Sequence, residues 1–145
     1  MEASCLDSIR AYVSDAGLRN VREVVLCDCT TQDKALLGDD LYDFIYTINL
    51  THISPWAATE GLLQLAARKL NKDGTLFIYG PFKVNGQFTT DSNRQFDQSM
   101  RSQNAEWGYR EVGQIEEAAV AQGLQMVKTL DMPANNHVLL FKKSY

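Results

Sequence analysis

The feature that most constrains the fold is an alternation of apolar strand, amphipathic helix and apolar strand between Tyr42 and Tyr79. Residues 42–48 and 75–79 are short apolar runs of strand length. Between them, leucine and alanine recur at helical spacing after Ser54 and Pro55, two residues that favour the start of a helix. Because two parallel strands need a crossover of this kind, the sequence predicts a β–α–β unit.

Further periodic segments flank this unit, and a polar stretch of irregular pattern, residues 80–110, interrupts them. The predicted helices are Ala3–Ala16, a short one near Asp33–Leu37, and Glu111–Gln122, and the predicted strands are Val21–Leu26, Leu124–Leu130 and Val138–Phe141, the last two joined as a hairpin. The order predicts one α/β domain over residues 1–145, with helices on both faces of a mostly parallel sheet and a last antiparallel strand.

Composition limits the classes of partner and compartment. The net charge of -4 argues against nucleic acid and against an anionic membrane surface. No apolar run approaches the roughly 20 residues of a membrane helix, and no signal-peptide pattern is present. The sequence has 3 cysteines, an odd and small number that does not make a disulfide framework. We therefore expect a cytoplasmic protein that binds neither nucleic acid nor membrane, with a nuclear location left open.

Polar or glycine residues follow three predicted strands at their carboxyl ends: 28–30, 49–54 and 80–81. In open α/β sheets, ligands bind beyond these ends of the strands. The Asp28 carboxylate can accept a hydrogen bond from an amino group such as that of adenine, and the Asn49 and His52 side chains can donate or accept. The alternative is that these segments are ordinary strand-end loops.

Four segments in this order carry a resemblance that runs through nearly the whole chain: INLTHISPWAATEGLLQLAARKL, LFIYGPFKVNGQFT, SNRQFDQSMRSQNAEWGYR and DMPANNHVLLFKK. They closely resemble the methyltransferase-like protein twenty-six family. The resemblance implies the Rossmann-like fold of the methyltransferases that use S-adenosylmethionine. It implies transfer of a methyl group to an acceptor that the resemblance does not identify.

The resemblance also implies two sides of one site. Asp28, Cys29, Asn49 and Leu50 are expected to bind S-adenosylmethionine. The side on which a methyl acceptor enters is expected to include His52, Ser54, Trp56, Tyr79, Gly80, Pro81, Asn85 and Asn93. No catalytic residue and no metal ligand is assigned, because methyl transfer depends mainly on aligning the acceptor with the methyl group.

The chain departs from the family pattern at its start. The family begins with a helix, a strand and a glycine-rich loop around the cofactor, then a strand ending in an acid that holds the ribose. No GxGxxG occurs among the 9 glycines of this sequence. We therefore expect an N-terminally shortened sheet, in which Val21–Leu26 pairs with Tyr42–Ile48 or with a second copy in a homodimer. A non-catalytic shortened isoform that binds partners or dimerises, and a fragment of a longer enzyme, remain open alternatives.

Histidine and cysteine side chains have competing interpretations here. His52 is a candidate general base, and a hydrogen-bonded role within its loop is the alternative. Cys27 and Cys29 point to one side of the predicted strand, but no further cysteine or histidine lies at ligand spacing. A structural role for the two cysteines is therefore favoured over a metal or redox pair.

Overall fold

The computed structural model describes residues 3–31 and 38–144, so the short helix predicted near Asp33–Leu37 lies outside the described residues. The helices are α1 (Ala3–Asp15), α2 (Trp56–Lys69), α3 (Asp91–Gln103) and α4 (Val112–Val120). The strands are β1 (Tyr42–Ile48), β2 (Leu70–Gly80), β3 (Phe82–Lys83), β4 (Arg110–Glu111), β5 (Leu124–Met132) and β6 (Asn136–Lys143). None of the helices in these ranges is long and apolar enough to cross a membrane.

The main sheet has the strand order β1-β2-β6-β5. Strands β1 and β2 are parallel and are connected through α2, as the β–α–β prediction requires. Strand β6 runs antiparallel to both β2 and β5, and a short 3-10 turn over Pro133–Asn135 closes the predicted hairpin. The small strands β3 and β4 form a separate parallel pair. The predicted α/β architecture with its last antiparallel strand is confirmed.

The hydrophobic core lies between one face of this sheet and the helices α2 and α4. Leu63 on α2 and Ile115 on α4 are fully buried against the alternating strand residues Leu76, Ile78 and Phe141. Each such side chain contributes about 2 kcal/mol by leaving water. The β–α–β unit thereby becomes a rigid base from which the loops at the carboxyl ends of β1 and β2 project.

The opposite face of the sheet is open at β1. Phe44, Tyr46 and Ile48 are 67%, 73% and 61% exposed. Phe77 and Tyr79 of β2 continue this apolar surface, and the Phe44 and Phe77 rings lie 5.9 Å apart. Strand β1 also has no partner on its outer edge within the described residues, since it stands at the end of the sheet order.

The prediction that Val21–Leu26 is a strand is wrong. These residues run without regular secondary structure, and they do not pair with β1. The segment is mostly exposed, and the Arg10 guanidinium donates to the Val24 carbonyl oxygen over 3.0 Å. A β-branched sequence forms a strand only where a neighbouring strand supplies a ladder and a surface to pack against. The described part of the chain supplies neither to this segment.

The stretch predicted to be irregular, residues 80–110, contains helix α3. Thr90 caps its N-terminus, with its hydroxyl oxygen accepting from the Asn93 amide over 3.2 Å. Asn93, Asp97 and Met100 lie at helical spacing and are buried, while the rest of the helix is largely polar. The helix stands beside the loop that follows β1 and completes one wall of a cleft there.

Candidate functional site at the carboxyl end of the sheet

The loop of residues 49–54 leaves β1 through a left-handed turn at Asn49. Asn49 has φ 56°, a conformation that asparagine tolerates better than most residues, and its amide donates to the Tyr79 carbonyl oxygen over 2.9 Å. The Ser54 hydroxyl donates back to the Leu50 carbonyl oxygen over 2.8 Å and does not cap α2, which begins at Trp56. The loop is therefore a compact turn held against the sheet.

Two cavities flank this loop. The first, which we call the histidine cleft, has a volume of about 490 Å³ and is lined by Asn49, His52, Ile53, Tyr79, Pro81, Asn93, Phe96, Tyr109, Ala134 and Asn136. The second, which we call the Asp28 cavity, has a volume of about 400 Å³ and is lined by Leu26, Cys27, Asp28, Cys29, Thr30, Leu50, Ser54, Pro55 and Ala58. Both volumes fall in the range of small-molecule sites.

His52 is the chemically most distinctive group in the histidine cleft. Its side chain is only 4% exposed, and its Nδ1 atom has no hydrogen-bond partner among the described residues. The imidazole lies among aromatic rings, with centroids 6.4 Å from Phe96 and 6.1 Å from Tyr109. Burial lowers the pKa of His52 to about 4, and the nearby Arg110 cation adds to this effect. The imidazole is therefore neutral at physiological pH.

The lowered pKa of His52 predicts a loss of stability in mild acid. The unfolded chain binds a proton at this side chain below about pH 6.5, whereas the folded chain binds it only near pH 4. Protons therefore favour the unfolded state, and the free energy of unfolding should fall by up to about 3 kcal/mol as the pH falls across this window. Urea denaturation at pH 7 and pH 4 measures this, and His52→Phe, which cannot titrate, should show a smaller decrease.

Arg110 holds the loop from the far side. Its Nε donates to the Thr51 carbonyl oxygen over 2.9 Å and one terminal nitrogen donates to the Ser54 carbonyl oxygen over 2.6 Å. The guanidinium also lies 5.8 Å from the Trp56 ring centroid. In addition, the Gly108 amide donates to the His52 carbonyl oxygen over 2.9 Å. The position of the His52 side chain therefore depends on contacts made 56–59 residues further along the chain.

Helix α3 and the following loop form the polar wall of the histidine cleft. The buried Asn93 donates through Nδ2 to the Thr89 hydroxyl over 2.8 Å. The buried Asp97 carboxylate accepts from the Tyr109 amide over 2.7 Å and from Arg101 Nε over 2.9 Å. Burial beside the Asp97 carboxylate raises the pKa of the Tyr109 phenol, which stays protonated. Asp97 thus fixes Tyr109, and each of its two oxygens accepts one hydrogen bond.

The Asp28 cavity combines one carboxylate with apolar walls. Asp28 Oδ1 accepts from the Thr30 hydroxyl over 2.7 Å and from its amide over 2.8 Å, which holds the pKa of the Asp28 carboxyl below its usual range. Burial raises the pKa of the Cys29 thiol to about 11, so it is not a thiolate at neutral pH. Gly61 on α2 lies against the Cys29 carbonyl oxygen, a contact that leaves no room for a Cβ.

The structure divides the sequence-predicted residues between these two cavities and the surface. The residues that line the histidine cleft are Asn49, His52, Tyr79, Pro81 and Asn93, with Gly80 directly beside His52. The residues that line the Asp28 cavity are Asp28, Cys29, Leu50 and Ser54. Three predicted residues line neither cavity: Gly80; Trp56, which packs against the core and Arg110; and Asn85, which is exposed in the tight turn between Val84 and Gln87.

Several residues of the site do not follow from sequence reasoning. Phe96, Tyr109, Ala134 and Asn136 line the histidine cleft, and Arg110 fixes the loop. A signal for Phe96 exists, because residues 93, 96, 97 and 100 have the spacing of one helix face. Nothing local in the sequence pairs Arg110 with the carbonyl oxygens of residues 51 and 54. Within the described ranges, no group of three or more histidine, cysteine or acidic residues could hold a metal ion.

Comparison with known protein families assigns the chain to one of them. A family model described as "Protein of unknown function (DUF938)" matches residues 1–143. The chain belongs to this family.

Several solved structures similar to this DUF938 protein are methyltransferases. The mitomycin 7-O-methyltransferase MmcR superposes with a TM-score of 0.80 at 13% identity, covering 99% of this chain and 40% of that one. An O-methyltransferase family protein from Burkholderia thailandensis gives 0.78 at 14% identity, covering 95% and 40%. CalO1, a methyltransferase of calicheamicin biosynthesis in its SAH-bound form, gives 0.67 at 12% identity, covering 88% and 36%.

These comparisons establish the fold of the DUF938 protein as that of the Rossmann-like methyltransferases. The chain spans about 40% of the length of the solved enzymes that it matches. At this level of identity the likeness concerns the backbone, and the residues of the site have to be argued from their own chemistry.

Proposed function

We propose that this DUF938 chain forms part of an S-adenosylmethionine-dependent methyltransferase, one of the methyltransferase-like protein twenty-six group. One observation carries the proposal. The loop of residues 49–54 contributes Leu50 and Ser54 to the Asp28 cavity and Asn49 and His52 to the histidine cleft. A methyltransferase needs a donor site and an acceptor site side by side, and a shared loop meets that need. The structural neighbours include proteins solved with S-adenosylmethionine or SAH.

The residues of the Asp28 cavity fit the adenosine end of such a cofactor. Leu26, Leu50 and Ala58 offer apolar surface to a flat base, and Asp28 offers a carboxylate acceptor to an amino group. Thr30 fully engages one oxygen of that carboxylate, which orients the group. When bound, S-adenosylmethionine supplies a methyl group on a positively charged sulfur.

The chain's own residues would then act by binding and by alignment. Asn49 and His52 present polar side chains to an acceptor in the histidine cleft, and the aromatic rings of Phe96 and Tyr109 exclude water around it. Arg110 and Gly108 hold the loop that separates the two cavities in one conformation. Holding two reactants in the reactive geometry is a substantial source of rate acceleration, and a rigid loop would serve that purpose.

Calorimetric titration with S-adenosylhomocysteine tests the donor side. We expect saturable binding with a Kd of about 100 μM or tighter, because the Asp28 cavity supplies only part of a full cofactor site. Asp28→Asn should weaken binding about tenfold, since it removes a charged acceptor for an amino group. Asp39→Asn, which removes the same charge from an exposed residue outside both cavities, should bind like the unaltered chain. No saturable heat, or equal losses in the two variants, would contradict the proposal.

A second candidate function is self-association, which the outer edge of β1, unpaired within the described residues, favours. We propose a two-fold pairing of β1 with β1 of a second copy, because an unpaired strand edge is a template for another strand. Antiparallel pairing centred on Ile45 would place Phe44 of each copy opposite Tyr46 of the other. Aromatic cross-strand pairs of this kind stabilise antiparallel strands, and the two-fold symmetry makes the edge complementary to itself.

Sedimentation velocity over a concentration series tests this second candidate. The unaltered chain should convert from monomer to dimer as its concentration rises. Tyr46→Lys should remain a monomer, because it places a charged side chain opposite Phe44 of the second copy. Tyr12→Lys, at a residue that is 74% exposed on α1, is the matched control and should dimerise normally. A chain that stays monomeric at about 100 μM would exclude the pairing.

A further inference from the structure

The histidine cleft carries information about the chemical class of its ligand. Its walls combine neutral polar side chains with aromatic rings, and none of the described residues that line it is charged. Two charged groups beside the cleft are already engaged: Asp97 accepts two hydrogen bonds, and the Arg110 guanidinium donates to three backbone carbonyl groups. A buried anion or cation in the cleft would therefore find no counter-charge, and its desolvation would oppose binding.

One polar atom in the cleft lacks a partner. His52 is only 4% exposed, and its Nδ1 atom makes no hydrogen bond with any described residue. Gly80 lies directly beside this atom, since an added Cβ would stand 3.5 Å from Nδ1, an ordinary van der Waals contact. A buried nitrogen left unpaired destabilises the fold, so a ligand that satisfies it gains that energy on binding.

We infer that the histidine cleft binds a neutral, planar molecule through a hydroxyl group that donates a hydrogen bond to His52 Nδ1. The neutral imidazole presents an acceptor, the Phe96 and Tyr109 rings, 6.3 Å apart, offer faces and edges to a flat ring, and the uncharged lining selects against ionised groups. The inference deepens the proposed function, because in a methyltransferase this hydroxyl would be the methyl acceptor. As a statement about binding it stands independently of methyl transfer.

Three related probes test the inference by direct titration: 1-naphthol, 1-methoxynaphthalene, which lacks the donor, and 1-naphthoate, which is anionic. 1-Naphthol should bind about fivefold tighter than the methoxy compound, the value of one net hydrogen bond. It should bind more than about tenfold tighter than 1-naphthoate, because the cleft offers no counter-charge. The Nδ1 nitrogen resonance of His52 should shift with 1-naphthol and not with 1-methoxynaphthalene.

Variants of buried positions make the test specific. His52→Phe keeps an aromatic ring and should abolish the preference for 1-naphthol over its methyl ether. Gly80→Ala should weaken 1-naphthol more than its methyl ether, since a methyl group 3.5 Å from Nδ1 would crowd a hydroxyl bound to that atom. His137→Phe is the matched control, because His137 is also buried with an unpartnered Nδ1 but does not line the cleft, and it should leave the preference intact.

The outcomes separate this inference from the proposed function. Equal binding of 1-naphthol and 1-naphthoate, or a hydroxyl preference that survives in His52→Phe, would overturn the inference even if S-adenosylhomocysteine binds. A preserved hydroxyl preference in a chain that does not bind S-adenosylhomocysteine would support the inference and contradict methyl transfer.

Discussion

Replacement of Arg110 by methionine is expected to lower the free energy of unfolding by about 3 kcal/mol. The change removes guanidinium hydrogen bonds to the carbonyl oxygens of Thr51, Ser54 and Glu106, and the contact with the Trp56 ring. Methionine keeps the apolar stem, so the loss reports on the charged head group. The estimate is below the sum of three charge-assisted bonds because Arg110 is partly exposed and water can replace some of them.

Hydrogen exchange and urea denaturation together measure this effect. Exchange in residues 49–55 should quicken in Arg110→Met, because the loop loses the contacts that join it to β4. Arg94→Met is the matched control, since Arg94 is an exposed cation over the Phe88 ring and should matter by less than about 1 kcal/mol. Equal destabilisation of the two variants, with unchanged exchange in the loop, would show that Arg110 does not hold it.

Gly61→Ala is expected to weaken ligand binding in the Asp28 cavity, with at least about a tenfold loss of affinity for S-adenosylhomocysteine. An alanine ordinarily stabilises a helix interior relative to glycine by about 1 kcal/mol. At Gly61 its Cβ would overlap the Cys29 carbonyl oxygen, which is backbone and has no rotamer through which to move away. The segment carrying Asp28 and Cys29 would therefore have to leave α2.

Gly113→Ala in α4 is the control for this second prediction. A Cβ at Gly113 meets no atom within 4 Å, so that variant should gain stability or remain unchanged and should bind normally. Thermal unfolding and calorimetry on both variants separate the two effects. Normal cofactor affinity in Gly61→Ala would mean that the Asp28 segment does not need its contact with α2.

The parts of the fold that follow from sequence are those whose local pattern agrees with their packing. The predicted bounds of strand β1 are confirmed, because five of its seven residues are apolar or aromatic and the strand has a fixed partner in β2. Helix α3 was missed because its apolar positions are few among polar residues. The strand prediction at Val21–Leu26 is wrong because β-branched residues only favour the extended conformation. Strand pairing also needs a neighbouring strand from elsewhere in the chain.

In the candidate site, too, local patterns can be predicted from the sequence and long-range contacts cannot. The polar ends of strands β1 and β2 were readable because parallel strands place their carboxyl ends at one edge of the sheet. The neutral state of His52 depends on burial and on Arg110, and Asp97 accepts a hydrogen bond from the Tyr109 amide. Neither contact can be read from the local sequence, because each partner is more than ten residues away. Long-range contacts thus decide which polar residues are free to bind a ligand and which only hold the loop.

The most direct test of the central claim is a map of amide chemical shifts during titration with S-adenosylhomocysteine. The account predicts shifts confined to the Asp28 cavity and the shared loop, at residues 26–30 and 49–58. A larger groove of about 670 Å³ lies between α1 and residues 17–25, and it offers a rival location. Shifts centred on that groove, or none at saturating ligand, would contradict a donor site beside the histidine cleft.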